Sequence, residues 1–151
     1  MKIEQELQIK RFHNDEQKVQ LNVLFTASWL KGRINQWLKD YDLTHEQFNV
    51  VRILRGNTGR PMCVKDITER MIDRNSNTTR IIDKLEAKNL VRRTPSHEDR
   101  REMEVSLTDE GKGLLRKIDR KFVENNGMRF SGLSDTEAQL LSSLLDKMRD
   151  V

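Results

Sequence analysis

The residue types that carry most enzyme chemistry stand in this chain in arrangements that cannot perform it. His13, His45 and His97 are far apart, and none has a metal-ligand spacing to Cys63 or to another histidine. Gly56 and Gly59 bracket a turn, but no Gly-Lys-Ser/Thr follows to cradle a phosphate, and no serine lies in a nucleophile elbow. An enzyme is therefore a poor reading, and neither metal nor cofactor is expected. What the chain offers instead is dense hydrogen-bonding and cationic chemistry in two places. Arg74, Asn75, Ser76, Asn77, Thr79, Arg80 and Lys84 combine short donors and acceptors with three cations, and Arg100 and Arg101 follow Asp99 in a charged loop. Short polar side chains suit base edges in a groove, and cations suit phosphates.

These residues need elements to hold them. The run after Asn75 continues as Ile81-Ile82-Asp83-Lys84-Leu85-Glu86, so the spacing predicts a helix from about Asn75 to Lys88, with Asn89 to end it. A single cap at Asn75 or Ser76 would account for one polar residue at its start. Five polar positions before the first isoleucine suggest a contact surface. Met103, Val105 and Leu107 alternate with Glu102, Glu104 and Ser106, the period of a half-buried strand, and Leu90–Thr94 is a second extended candidate. Pro95-Ser96-His97 supplies turn residues between them. A polar, basic helix start followed by a hairpin with a basic tip is the layout of a winged helix-turn-helix.

Elsewhere, Asn14 or Asp15 opens a long helix with Val19, Val23, Leu24, Ala27, Leu30, Ile34, Trp37 and Leu38 as its apolar stripe, ending near Tyr41-Asp42. Thr44-His45-Glu46-Gln47 is a capping box for a second helix through Phe48, Val51 and Leu54, which Gly56, Gly59 and Pro61 stop. Met62-Cys63-Val64 reads as a short strand and Lys65–Met71 as a short helix. Thr108-Asp109-Glu110 opens a helix reaching Asn125-Asn126-Gly127. Ser134-Asp135-Thr136-Glu137 caps a last helix with a stripe of Leu140, Leu141, Leu144, Leu145 and Met148.

The chain has 151 residues, 35% hydrophobic and 34% charged, which is lean for a self-contained globule. Long helices that pool apolar faces in an oligomer explain the shortfall better than disorder, although packing within one chain would also consume the leucines. The net charge is +4, and its placement matters more than its size. Between Val51 and Leu107 stand thirteen of the 28 Lys/Arg and nine of the 24 Asp/Glu, so the flanks cancel and the whole excess lies in the middle. That placement suits a polyanion partner, against the plainer reading of a solvated face.

Cys63 is the single cysteine, so no internal disulfide forms, and a cytoplasmic location is expected from this and from acids at Glu4 and Glu6 where a leader would be apolar. Between Met62 and Val64 it reads as a buried core residue; with Arg60 and Lys65 close in sequence, a redox-sensing thiol stays open. Trp29 and Trp37, eight apart on one helix face, read as packing anchors and, more weakly, as candidates for an effector pocket.

Asp99-Arg100-Arg101, Val105-Ser106-Leu107-Thr108 and Gly111, with Ser76, Thr79-Arg80, Asp83 and Leu85-Glu86 before them, resemble the winged-helix regulators of the multiple-antibiotic-resistance regulator (MarR) type. The resemblance runs from about Val19 to the C-terminus. It implies that Arg101 enters the minor groove at the wing tip, that Asp99 braces it through a salt bridge and that Arg100 contacts phosphate. It further implies a homodimer on a pseudo-palindromic operator, released by a small phenolic or aromatic effector or by cysteine oxidation. Peroxide-sensing relatives carry their cysteine near the start of the first long helix, where this chain has none. Thr78 stands where an apolar residue is commoner.

The expected fold is mainly α with a small β-hairpin wing (α+β): one domain with N-terminal dimerisation helices (1–43), a winged helix-turn-helix DNA-binding lobe (44–107) and C-terminal dimerisation helices (108–151). The expected function is a DNA-binding transcriptional regulator, most simply a repressor, with double-stranded DNA and a second copy as partners and no membrane. The alternative is a winged-helix module that binds a protein and no DNA.

Overall fold

The computed structural model describes residues 1–57, 59–96, 102–124 and 132–150. The expected wing tip, Asp99, Arg100 and Arg101, lies outside them. The elements are α1 (Ile3–Glu6), α2 (Asp15–Leu38), α3 (His45–Gly56), β1 (Met62–Cys63), α4 (Val64–Arg70), α5 (Thr78–Ala87), β2 (Val91–Pro95), β3 (Met103–Leu107), α6 (Asp109–Glu124) and α7 (Asp135–Arg149). The chain divides into two compact units, Met1–Ile118 and Asp119–Val151.

Local capping chemistry sets most boundaries. The Asn14 side chain accepts the Gln17 N–H at 2.8 Å to open α2, and Thr44 and Gln47 form the reciprocal box that opens α3. After α2 a 3-10 turn (Lys39–Tyr41) leads to Asp42 at φ 52°, where the Leu43 N–H reaches back to the Leu38 carbonyl at 3.2 Å. The end of α5 repeats this geometry. Asn89 takes φ 55°, its N–H bonds to Glu86 at 2.8 Å, and the Leu90 N–H bonds to Leu85 at 3.0 Å, which is a Schellman motif with asparagine in the left-handed position.

In the first unit three helices enclose a small antiparallel sheet of order β1-β3-β2. Val91 pairs with Leu107 and Pro95 with Met103, while Met62 pairs with Val105 on the other edge of β3. Val105 is completely buried at the centre of the sheet, with Val50 and Leu54 of α3, Ile67 of α4 and Ile82 and Leu85 of α5 in the same core. Leu115 and Ile118 of α6 complete it. In the second unit, the Ser134 hydroxyl and Glu137 carboxylate cap α7 as expected.

The structure moves several expected boundaries. α1 was not foreseen; at its single turn the Gln5 side chain accepts the Lys2 N–H at 3.1 Å. Val64 starts α4 and is not a strand residue. The start of α5 is Thr78, three residues later than expected, because the Asp73 carboxylate accepts the Asn75 N–H at 3.0 Å and holds the preceding residues in a turn. Asn77 is the cap, accepting the Arg80 N–H at 3.0 Å. Ile81 is half-buried beside the fully buried Ile82, and Cys63 is half-buried on β1 and not a closed core residue.

Candidate nucleic-acid interface

α5 is an amphipathic helix anchored by Ile82 and Leu85, and its exposed residues include Thr79, Arg80 and Lys84, which have groove-reading chemistry, beside the acids Asp83 and Glu86. Thr79, Arg80 and Lys84 are exposed on the helix, and Arg74, Asn75 and Asn77 are exposed in the turn before it; Ser76 is half-buried there. The corrected boundary thus removes Asn75, Ser76 and Asn77 from the helical turns, and Arg74 precedes the helix as expected. Ser76, Asn77, Arg80 and Lys84 come together with Thr44, Glu46, Gln47 and Ile81 around a cleft of about 330 Å³ between the starts of α3 and α5. Arg74, Asn75 and Thr79 are outside that cleft.

The cleft contains one acid, Glu46, and its charge is already answered. Lys31 of α2 lies 2.7 Å away, and this hydrogen bond holds the Glu46 carboxyl down at about 2. The same pair raises the Lys31 pKa, while burial lowers that of His45. The His45 N–H donates to the Asn35 side chain at 2.7 Å, so α2 and α3 are joined by an ion pair and a hydrogen bond side by side.

Beneath α5, Thr78 is buried, and its hydroxyl lies 2.8 Å from that of Thr68 on α4. Thr68 Oγ1 also lies 2.9 Å from the Val64 carbonyl oxygen. A polar contact therefore joins α4 to α5, and no buried side-chain polar atom among the described residues is left unsatisfied. At the other end, Lys88 donates to the Asp42 carbonyl oxygen and lies 3.1 Å from the Asp42 carboxylate, tying α5 to the turn after α2.

The hairpin stands on the remaining side. At its base the Ser96 N–H donates to the Glu102 carbonyl at 2.9 Å, and the buried Ser96 hydroxyl donates to Glu104 at 2.8 Å. Arg93 of β2 crosses to α5, where it bonds Asp83 at 2.6 Å and Glu86 at 2.9 Å. Arg93, Thr68 and Lys88 were not among the expected site residues. Their partners are remote in sequence, so spacing carries no signal for them.

Trp29 and Trp37 are not brought into one site. Trp37 packs edge-on against Tyr41 and Phe48, with centroids 5.5 and 6.2 Å away, whereas Trp29 is exposed with the Arg33 guanidinium 6.0 Å from its ring. Neither lines the cleft. Among the described residues no group of three or more His, Cys, Asp or Glu could hold a metal ion, and no helix is long and apolar enough to cross a membrane.

A model of the MarR family matches residues 43–103, which span α3 to the start of β3. The HTH-type transcriptional regulator YfiV of Bacillus subtilis (strain 168) is 38% identical over 85 residues, 56% of this chain and 51% of that one. PecS of Dickeya dadantii (strain 3937), also an HTH-type transcriptional regulator, is 32% identical over 110 residues, 72% of this chain and 66% of its own. The chain thus spans between half and two-thirds of the length of these curated relatives. A mutant MarR from E. coli, solved as a complex with operator DNA, superposes with a TM-score of 0.71 at 23% identity, covering 85% of this chain and 91% of that one. That likeness carries the fold.

Proposed function

The chain belongs to the MarR family, and from that premise we propose that it is a sequence-specific DNA-binding regulator of transcription that acts as a repressor. The observation that carries this reading is the exposed edge of α5, where Thr79, Arg80 and Lys84 stand clear of the core on a helix braced by a two-stranded wing. A ten-residue helix is about 15 Å long and fits a major groove about 12 Å wide. The shared fold with an E. coli relative solved on operator DNA is consistent with this reading, in which α5 is the reader and the hairpin the wing.

In this reading residues 44–107 form the DNA-binding lobe, and 1–43 and 108–151 supply a homodimer. Only Leu38 of the 24 residues of α2 is buried within the chain, which suits a helix with a second copy as neighbour. Exposed Leu140, Leu141 and Leu144 on α7 support the same conclusion for the C-terminal helices. Two copies would set two α5 helices one turn of DNA apart on a pseudo-palindromic operator. Arg74, Asn75, Ser76, Asn77, Thr79, Arg80 and Lys84 read or grip the major groove, Arg100 holds phosphate, and Arg101, braced by Asp99, enters the minor groove. A small aromatic or phenolic effector shifts the dimer away from its DNA-bound form.

The Arg101→Ala variant tests this assignment. It should weaken binding to a genomic operator by about 1–3 kcal/mol in a gel-shift titration while sedimenting as the same dimer. Equal affinity for both proteins would remove the wing from the interface, and a monomer at micromolar concentration would remove the two-half-site arrangement.

A further inference from the structure

Arg93 lies on β2, in the wing, yet its side chain is committed to α5. Nη2 donates to Asp83 Oδ1 at 2.6 Å and to the Thr79 carbonyl oxygen at 3.3 Å, Nη1 donates to Glu86 Oε2 at 2.9 Å, and the Arg93 backbone N–H donates to Glu86 Oε1 at 3.1 Å. Thr79, Asp83 and Glu86 are spaced four and three apart, so they share one face of the helix. One residue of the wing thereby grips about two turns of α5. A planar guanidinium can reach two carboxylates and a carbonyl at once, whereas an ammonium has no such fork.

Charge gives this contact a second consequence. Within Thr78–Ala87 the cations Arg80 and Lys84 are matched by the acids Asp83 and Glu86, so the helix has no net side-chain charge with which to approach a polyanion. Both acids are well exposed, at 55% and 40%, and would repel phosphates if left alone. Arg93, only 20% exposed, covers them from the wing.

We infer that Arg93 is a positioning residue that fixes α5 against the wing and neutralises the two acids of the helix, so that both DNA-facing elements engage in one register. This rests on the DNA-binding reading proposed above. Exposed ion pairs add little to folding stability, so the effect belongs to recognition and not to the fold.

The test begins with a duplex enriched by the full-length wild-type protein from a random library, and with a scrambled duplex of the same composition. Binding of each is measured across a salt series for wild type, R93Q, R93K, E86Q and the R93Q/E86Q double variant. R93Q and R93K should both lose about tenfold on the enriched duplex, about the worth of one mismatched base pair, and less on the scrambled one, where R93Q, which uncovers the acids, should lose more than R93K. The salt slope and thermal midpoint should stay at their wild-type values, and the double variant should lose no more than R93Q alone. Wild-type affinity in R93Q would overturn the inference. So would recovery in R93K combined with a salt slope reduced by about one in R93Q, which marks a direct phosphate contact. Failure to enrich any duplex would overturn the DNA-binding reading itself and the clamp with it, and is seen before any variant is made.

Discussion

Glu46 shows how much a single pair can decide. Its carboxyl is held at about 2 by the hydrogen bond from Lys31, against an ordinary value of 4.5, so the folded state favours the charged form. A depressed carboxylate contributes stability that is complete above pH 4.5 and lost as pH falls from 4.5 towards 2. Because the Lys31 partner is well exposed, the contribution should not exceed about 1 kcal/mol. Urea titrations should therefore find Glu46→Gln weaker than wild type at neutral pH, with the gap closing in acid; a gap that widens as pH falls would contradict the assignment. Residues of this kind divide sharply in what sequence reveals. The caps Asn14, Thr44 and Ser134 were legible because a cap and the N–H that it accepts lie three residues apart. Lys31–Glu46, Thr68–Thr78 and Arg93–Asp83 were not, since the fold alone makes those pairs neighbours.

Among the elements, the junction of β2 with α6 has the least slack. Thr108 donates its hydroxyl to the Asn89 carbonyl at 2.6 Å and its N–H to Leu90 at 3.1 Å, and its Oγ1 accepts the Gly111 N–H at 3.0 Å. A Cβ on Gly111 would sit 2.2 Å from the Leu90 carbonyl oxygen, a backbone atom that cannot rotate away. Gly111→Ala should then cost about 1–3 kcal/mol in denaturant unfolding by forcing α6 off the wing. An unchanged midpoint would mean that α6 is free to shift there. The Thr108 cap and the strand of Met103–Leu107 were readable from local chemistry and period. The start of α5 was misplaced because a run of polar residues suits both a helix terminus and the Asx turn that precedes it. Periodicity also cannot find α1, which is a single turn.

At the scale of the molecule, the lean apolar composition, the charge excess between Val51 and Leu107 and the mostly uncovered α2 fit one account: a dimer of amphipathic helices that carries a basic winged lobe to DNA. That excess is small, so the lobe depends on where its cations stand rather than on how many there are. Arg80 and Lys84 line one cleft on α5, and Arg93 is spent on holding the helix. The most direct measurement is the affinity of the full chain for an operator duplex as salt rises. With roughly six phosphate contacts per dimer, affinity should fall on the order of a thousandfold between about 50 and about 200 mM salt, linearly in log–log form. A flat dependence, with binding carried instead by an apolar protein partner, would contradict the account.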